Sequence, residues 1–484
     1  MSLRNRTFAA GRWTTLSALG VSGFHILQTI ALARLLHPAD FGLMGVAAAM
    51  IGMLSLVADM GLNRALIHFD EIPIQVLSTL YWLNILLAAA LSLIIILIAP
   101  FLAAMFHSEQ LTSVLRWSSL VFPFSAFGLQ FRILAEKSLQ FSTVAVIEIL
   151  ASAIALAVAV TFALANGNVF ALVAALLTRT TTVSVLSWLW LSKNCRPTLH
   201  FRPAEAREYV RYGFYLVGDS LANNVNRDSD LFLGGAVLGP STVGVYAVPR
   251  ELSLRIATVI NPIITRVAFP LMARAKGDRS ALKSIYLQVL RMTASINFPV
   301  FAALAFFADE IVALLYGPQW RSAVPYLRVL AIWGLIRSVG NPTGFLLYAI
   351  GGAKLAFCWN LALVVALPAL YWGGASVYGL PGLAIVALVI QLALVVPMWR
   401  FLIRPSCGAS FLEYLRQLAV PLWMALFAGA ASWSVTRGLD HGTVRLAVGG
   451  IVGGTTYLGL SAMFNRQWIV AIIELFQPKR LEAH

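Results

Sequence analysis

Asp219, Asn223, Arg227 and Asp230 follow one another at spacings of four, four and three, which sets all four side chains on one face of a helix. Asn224 and Asp228 flank that face, and Arg227 and Asp230 are spaced to pair along it. The chemistry on offer is recognition. A guanidinium makes permanently charged, bidentate contacts to phosphate oxygens, while carboxylates and amides suit hydroxyl-rich ligands such as sugars. The "DSD" at 228–230 has the form of a metal-binding DxD, yet it lies in a stretch that reads as helix, with no nucleotide-binding α/β pattern around it.

The surroundings of this face are apolar. Of 484 residues, 60% are hydrophobic and 11% charged, against about a quarter charged in soluble domains, and the mean hydropathy is +0.82. Runs such as "ILLAAALSLIIILIAPFLAAMF" (85–106) and "LAIVALVIQLALVV" (383–396) are on the scale of a bilayer. The chain is therefore expected to be an all-α polytopic membrane protein. Hydropathy and breakers predict about fourteen spanning helices, near 13–36, 40–66, 76–105, 111–136, 142–165, 168–192, 206–237, 241–270, 285–315, 323–350, 353–373, 379–403, 411–436 and 442–475. Every connection is short, so no soluble domain is expected.

The net charge of +15 follows the topology. With the N-terminus inside, basic residues such as Arg4, Arg6, Lys193, Arg196, Lys276 and Arg279 gather in inner segments, and the outer turns hold few. Both termini are then cytoplasmic, and the basic balance is no nucleic-acid footprint. "MSLRNRTFAAGRW" reads as a cytoplasmic start without a cleavable signal. Cys195, Cys358 and Cys407 offer neither a disulfide framework nor metal spacing.

The chain also repeats itself. "LLHPADFGLMGVA" (35–47) aligns with "VLGPSTVGVYAVP" (237–249) at an offset of 202 residues. At that offset His25 falls on Arg227 and Gln28 on Asp230. A repeat of six helices preserves orientation, an arrangement that recurs in carriers whose substrate site lies where the repeats meet. This divides the chain into a first lobe (1–192), a cytoplasmic linker (193–205), a second lobe (206–403) and two additional helices with a tail (404–484).

Further charges at membrane depth are Arg179, Arg250, Glu251, Arg255 and Arg337. Two readings stand side by side. Such residues line a polar cavity, or they neutralise one another between helices and lock the packing. A local salt bridge would account for Glu251 and Arg255, and His25 suits either proton coupling or a satisfied interior position.

"ARLLHPADFGLMGVAAAMIGMLSLVADMGLNRALI" (33–67) resembles the first turn and second helix of bacterial polysaccharide exporters, and "NRDSDLFLGGAVLGPSTVGVYAVPREL" (226–252) resembles their seventh and eighth helices. The likeness is to the colanic-acid and exopolysaccharide type, in the superfamily that also holds multidrug antiporters and lipid II flippases. It implies two pseudo-symmetric six-helix lobes around a central cavity, with two extra C-terminal helices. It also implies a flippase of the bacterial inner membrane, whose cargo is an undecaprenyl-pyrophosphate-linked oligosaccharide moved to the outer leaflet by alternating access. No cofactor is implied beyond H⁺ or Na⁺ as coupling ion. The implied partners are membrane lipid and the polymerase and chain-length machinery, with the monomer as working unit. The substrate cavity would draw on Asp219, Asn223, Asn224, Arg227, Asp228, Asp230, Arg179, Arg337, Arg250, Glu251, Arg255, His25 and Gln28.

A purely structural membrane scaffold is disfavoured by the repeat and the intramembrane charge, and three further rivals stand beside the exporter. A multidrug antiporter predicts an acidic cavity, whereas arginines here at least match carboxylates. A lipid II flippase differs only in cargo. A polymerase or ligase needs a large outer loop, and every predicted outer loop is short. No ATP-binding loop is present, so ATP bound by this chain is not the energy source.

Overall fold

The computed structural model describes residues 3–58, 66, 72–439, 442–466 and 468, and these are helical with no strand among them. Arg64 therefore lies outside the described residues. The helices are α1 (Leu3–Leu35), α2 (Pro38–Ala58), α3 (Ile74–Met105), α4 (Glu109–Ser119), α5 (Val121–Lys137), α6 (Phe141–Asn166) and α7 (Phe170–Leu191). After a linker come α8 (Pro203–Leu238), α9 (Pro240–Arg274), α10 (Arg279–Phe306), α11 (Ala308–Leu315), α12 (Val324–Ser338) and α13 (Asn341–Ala349). Last are α14 (Ala353–Ala393), continued through short turns to Cys407, then α15 (Phe411–Thr436) and α16 (Gly442–Phe464). This is the expected all-α, multi-pass membrane architecture.

Among the described residues, eleven segments are long and apolar enough to cross a bilayer. The count of fourteen is not reached on that measure. The segment Ala353–Cys407 is continuous by helical assignment, although Gly379 (φ 63°, ψ −146°) breaks it where two spans were predicted. Helix α8, with 36 residues, is long enough to span, but polar residues depress its hydropathy, and helix α9, with 35 residues, includes positions whose side chains lie outside the described residues.

Packing groups the chain into two compact units, residues 1–247 with 359–383, and residues 248–358 with 384–484. In the first unit, α6 packs on α1 and α7, and α2 packs on α8. Ala151, Ala155, Ala159 and Ala163 form a buried stripe along α6. Small residues at this spacing let helices approach closely, which is how dispersion contacts accumulate where lipid offers no hydrophobic driving force. The core around α2 joins Val46, Ala47 and Met50 to Ile95, Phe106, Val114 and Phe122.

The repeat is visible inside this unit. A Cβ on Gly42 would lie 1.8 Å from the Pro240 carbonyl oxygen, and a Cβ on Gly244 would lie 1.8 Å from that of Pro38. Each glycine stands opposite the proline that opens the other repeat's helix, so the contact is reciprocal. The linker is also anchored here. Thr198 donates its N–H to Ser78 Oγ at 3.0 Å, Trp82 Nε1 donates to Thr198 O at 2.9 Å, and the Arg202 N–H reaches Thr79 Oγ1 at 3.2 Å.

In the second unit, α10 is central and packs on α12 and α15. Met272, Tyr286, Leu290, Phe298, Tyr414 and Met424 are among its buried side chains. The two C-terminal helices are integral to this unit. Tyr457 Oη donates to Ser295 O at 2.8 Å, Asn465 Nδ2 to Ser295 Oγ at 2.8 Å, and Arg445 of α16 pairs with Glu310 of α11 at 2.6 Å.

Candidate functional site

Helix α8 begins with Pro203 at its first turn, ends before Gly239 and carries the polar face. The side chains of 211–220 are outside the described set, so Asp219 is placed on the helix without a side-chain account. Asn223 is exposed and Asn224 half-buried. Asn226 donates Nδ2 to Asn360 O at 2.8 Å, which ties α8 to α14.

The carboxylate that Arg227 grips is Asp228, not the predicted i,i+3 partner. Nη2 lies 2.8 Å from Oδ2, and Nε lies 3.3 and 3.2 Å from Oδ1 and Oδ2. The Arg227 side chain keeps 45% of its surface accessible, against 10% for Asp228. The carboxylate is sunk and the arginine side chain remains partly open. A Cβ on Gly52 of α2 would stand 3.9 Å from both Arg227 Nη2 and Asp228 Oδ2, which makes α2 the wall beside the pair.

Asp230 has a different fate. It is buried at 2% exposure, and the Tyr246 hydroxyl of α9, itself fully buried, donates to its Oδ2 at 2.7 Å. A charge-assisted bond of this length in the interior holds both groups firmly. The face predicted as one stripe is thus divided into an accessible Arg227–Asp228 pair and a buried Asp230–Tyr246 contact.

His25 and Gln28, half-buried on α1, and Arg179, half-buried on α7, belong to the same unit. In the second unit, Glu251 and Arg255 form the local i,i+4 salt bridge at 2.7 Å, in line with the bland reading of those two residues. Arg250 is buried at 2% exposure. Arg337 lies over the Trp333 ring at 5.1 Å, a cation–π contact. Near Glu251, Tyr316 sits in the turn after α11. Burial, and secondarily the Glu251 charge, raise its phenol above the ordinary range.

Sequence reasoning missed Glu148. This carboxylate interrupts the apolar run of α6, accepts from Ser17 Oγ of α1 at 2.9 Å and faces Arg132 of α5 at 3.7 Å. The rule that flagged Arg179 applies equally to "VIEIL". The Asn297–Asn261 amide contact at 3.0 Å was also missed.

Residues 31–325 match the family described as polysaccharide biosynthesis protein. The chain is also 30% identical over 429 residues to the lipopolysaccharide biosynthesis protein WzxC of Escherichia coli (strain K12), covering 88% of this chain and 87% of the relative. The chain belongs to the polysaccharide biosynthesis protein family. Within that family's reach, the teichuronic acid biosynthesis protein TuaB of Bacillus subtilis (strain 168) is 26% identical over 95% of this chain and 96% of its own. Among solved structures, the lipid II flippase MurJ in an inward closed conformation superposes with a TM-score of 0.77 at 12% identity, covering 96% of this chain and all of that one. An inward-facing MATE transporter of the MOP superfamily follows at a TM-score of 0.59 and 14% identity, covering 88% of this chain and all of its own. The family is the one the sequence resembles, and the fold is shared with the flippase and MATE structures.

Proposed function

We propose that this member of the polysaccharide biosynthesis family carries an undecaprenyl-pyrophosphate-linked oligosaccharide from the inner to the outer leaflet of a bacterial cytoplasmic membrane. Both termini would face the cytoplasm, and the two halves of the repeat would be the moving parts of alternating access. The observation that supports this cargo best is Arg227. Its guanidinium is gripped by a nearly buried carboxylate, while the side chain as a whole keeps 45% of its surface accessible. Such a group meets a pyrophosphate without first being organised, because the geometry of the fork is already set. Asn223 and Asn224 nearby supply donors and acceptors for sugar hydroxyls. Energy would come from a proton or sodium gradient, with His25 as a group able to change charge near neutral pH. Association with a polymerase and chain-length machinery belongs to the same proposal.

The test is delivery of lipid-linked glycan to the outer leaflet by cells expressing Arg227→Ala, Arg227→Lys or Asp228→Asn at equal membrane levels. Loss of one charge-assisted contact, about 1.5–3 kcal/mol, predicts a fall of roughly ten- to a hundredfold for Arg227→Ala. Arg227→Lys keeps the charge and loses the fork, so it retains part of the transport. Undiminished delivery by well-inserted Arg227→Ala would overturn the role given to this residue.

A further inference from the structure

The second unit holds an open cleft of about 440 Å³ lined by Arg279, Ser280, Lys283, Arg404, Cys407 and Gly408, of which only Cys407 is buried. It lies where α10 begins and where the long 353–407 segment ends. Arg279 is the first residue of one candidate span and Cys407 the last of another, so the cavity sits at the level where hydrocarbon gives way to headgroups.

Its charge is unbalanced. Lys283 is satisfied by Glu413 at 2.9 Å. Arg279 donates Nη2 to the carbonyls of Arg404 and Pro405, at 3.2 and 3.4 Å. Arg404 lies over the Trp399 ring at 5.7 Å. No described carboxylate pairs with either arginine, and Asp278, the residue before Arg279, caps that helix through the N–H groups of Ser280 and Ala281. The helix N-terminus is thus already occupied, and what remains is a pair of guanidinium groups that no described carboxylate pairs.

The backbone is shaped for this. Gly408 adopts φ +76°, and a Cβ there would approach Arg279 Nε to 3.0 Å. The left-handed turn brings the carbonyls of 404 and 405 under Arg279 and fixes its fork. Trp399 is itself held by Nε1 donation to Ala409 O at 2.9 Å and by Phe411, 5.1 Å between ring centroids. An aromatic pair beside basic side chains at a span end matches the composition of a membrane interface.

We infer that this cavity is a binding site for a phosphate-bearing anion, most naturally the phosphodiester of an anionic phospholipid headgroup entering from the adjoining leaflet. Two guanidinium groups without carboxylate partners supply bidentate donors to a phosphoryl group, and basic pockets at the ends of spanning helices select anionic over zwitterionic lipid. The inference rests on the membrane-spanning architecture and not on the nature of the transported cargo.

The experiment is thermal unfolding of the full-length protein in a neutral detergent. Dioctanoyl phosphatidylglycerol, dioctanoyl phosphatidylcholine or inorganic phosphate is titrated at constant ionic strength, in wild type and in Arg279→Gln and Arg404→Gln. The expected result is a saturable rise in Tm with phosphatidylglycerol and little with phosphatidylcholine. The half-saturating concentration should increase at least tenfold in each variant. If inorganic phosphate gives the same variant-sensitive rise, the site takes the free anion as well as the lipid. Arg404→Gln leaves the Arg279–carbonyl bonds in place and serves if Arg279→Gln does not fold. Absence of any saturable rise in wild type, or a rise unchanged in a folded variant, would overturn the site.

Discussion

Gly42 and Gly244 face each other across the internal repeat, each where a Cβ would collide with the carbonyl oxygen of the proline that opens the other's helix, at 1.8 Å in both directions. The two glycines are 202 residues apart, and so are Pro38 and Pro240. A repeat that was weak as a sequence alignment is therefore a physical two-fold contact, with Gly as the residue type that permits it. Gly42→Ala and Gly244→Ala should each destabilise by about 1–3 kcal/mol or more through overpacking. Their effects should fall short of additive in the double variant, because both act on one contact. Gly45→Ala is the control, since a Cβ there meets Ala247 Cβ at an ordinary 3.5 Å. Thermal unfolding of the three variants in detergent checks this.

Tyr246→Phe removes the donor to a buried carboxylate at 2.7 Å. The expected loss is about 1.5–3 kcal/mol, the range for hydrogen bonds to charged groups. Asp230→Asn should lose less when Tyr246 is already Phe. A double-mutant cycle on the unfolding midpoint reads the coupling, and a value near zero would deny the contact an energetic role.

Glu310 and Arg445 join α11 to α16, with side chains only 9% and 22% accessible. Arg445→Ala leaves Glu310 buried without this partner, at a cost of about 2–3 kcal/mol, somewhat below that of breaking a fully buried pair. Arg445→Met with Glu310→Leu should recover much of the loss, because the apolar pair leaves no charge stranded. Comparing the melting temperatures of single and double variants decides it.

The linker after α7 should open when its straps are cut. Trp82→Phe and Ser78→Ala each delete a bond to Thr198, worth about 0.5–1.5 kcal/mol apiece. Limited proteolysis should then cleave within 193–205 faster, while the cleavage rate elsewhere stays unchanged.

Much of this architecture was legible in the sequence because bilayer physics leaves few choices. Apolar length, positive loops and turn residues gave a polytopic helical protein, and the long-range repeat predicted the register that Gly42 and Gly244 confirm. What escaped was tertiary. Helix spacing offers Asp230 to Arg227, but Tyr246 arrives from the next helix and takes Asp230, and Arg227 turns to its immediate neighbour. No period along one helix reports a partner from another. Glu148 was a different kind of miss, a legible charge in an apolar run whose partners Ser17 and Arg132 come from two other helices. The arginine cavity was scattered as well, with its residues split between positions 279–283 and 404–408.

The adjacency of Arg227 and Asp228 also bears on how α8 is made. On insertion scales, a lone Arg or Asp at mid-span costs about 2.5–3.5 kcal/mol. Consecutive residues close their ion pair within the nascent helix, before α9 has been synthesised, so much of that penalty is met locally. Asp230 has to wait for Tyr246, which emerges only after the one-residue turn at Gly239. The polar contacts of α8 are thereby completed only by α9, which favours insertion of the two helices together as a hairpin.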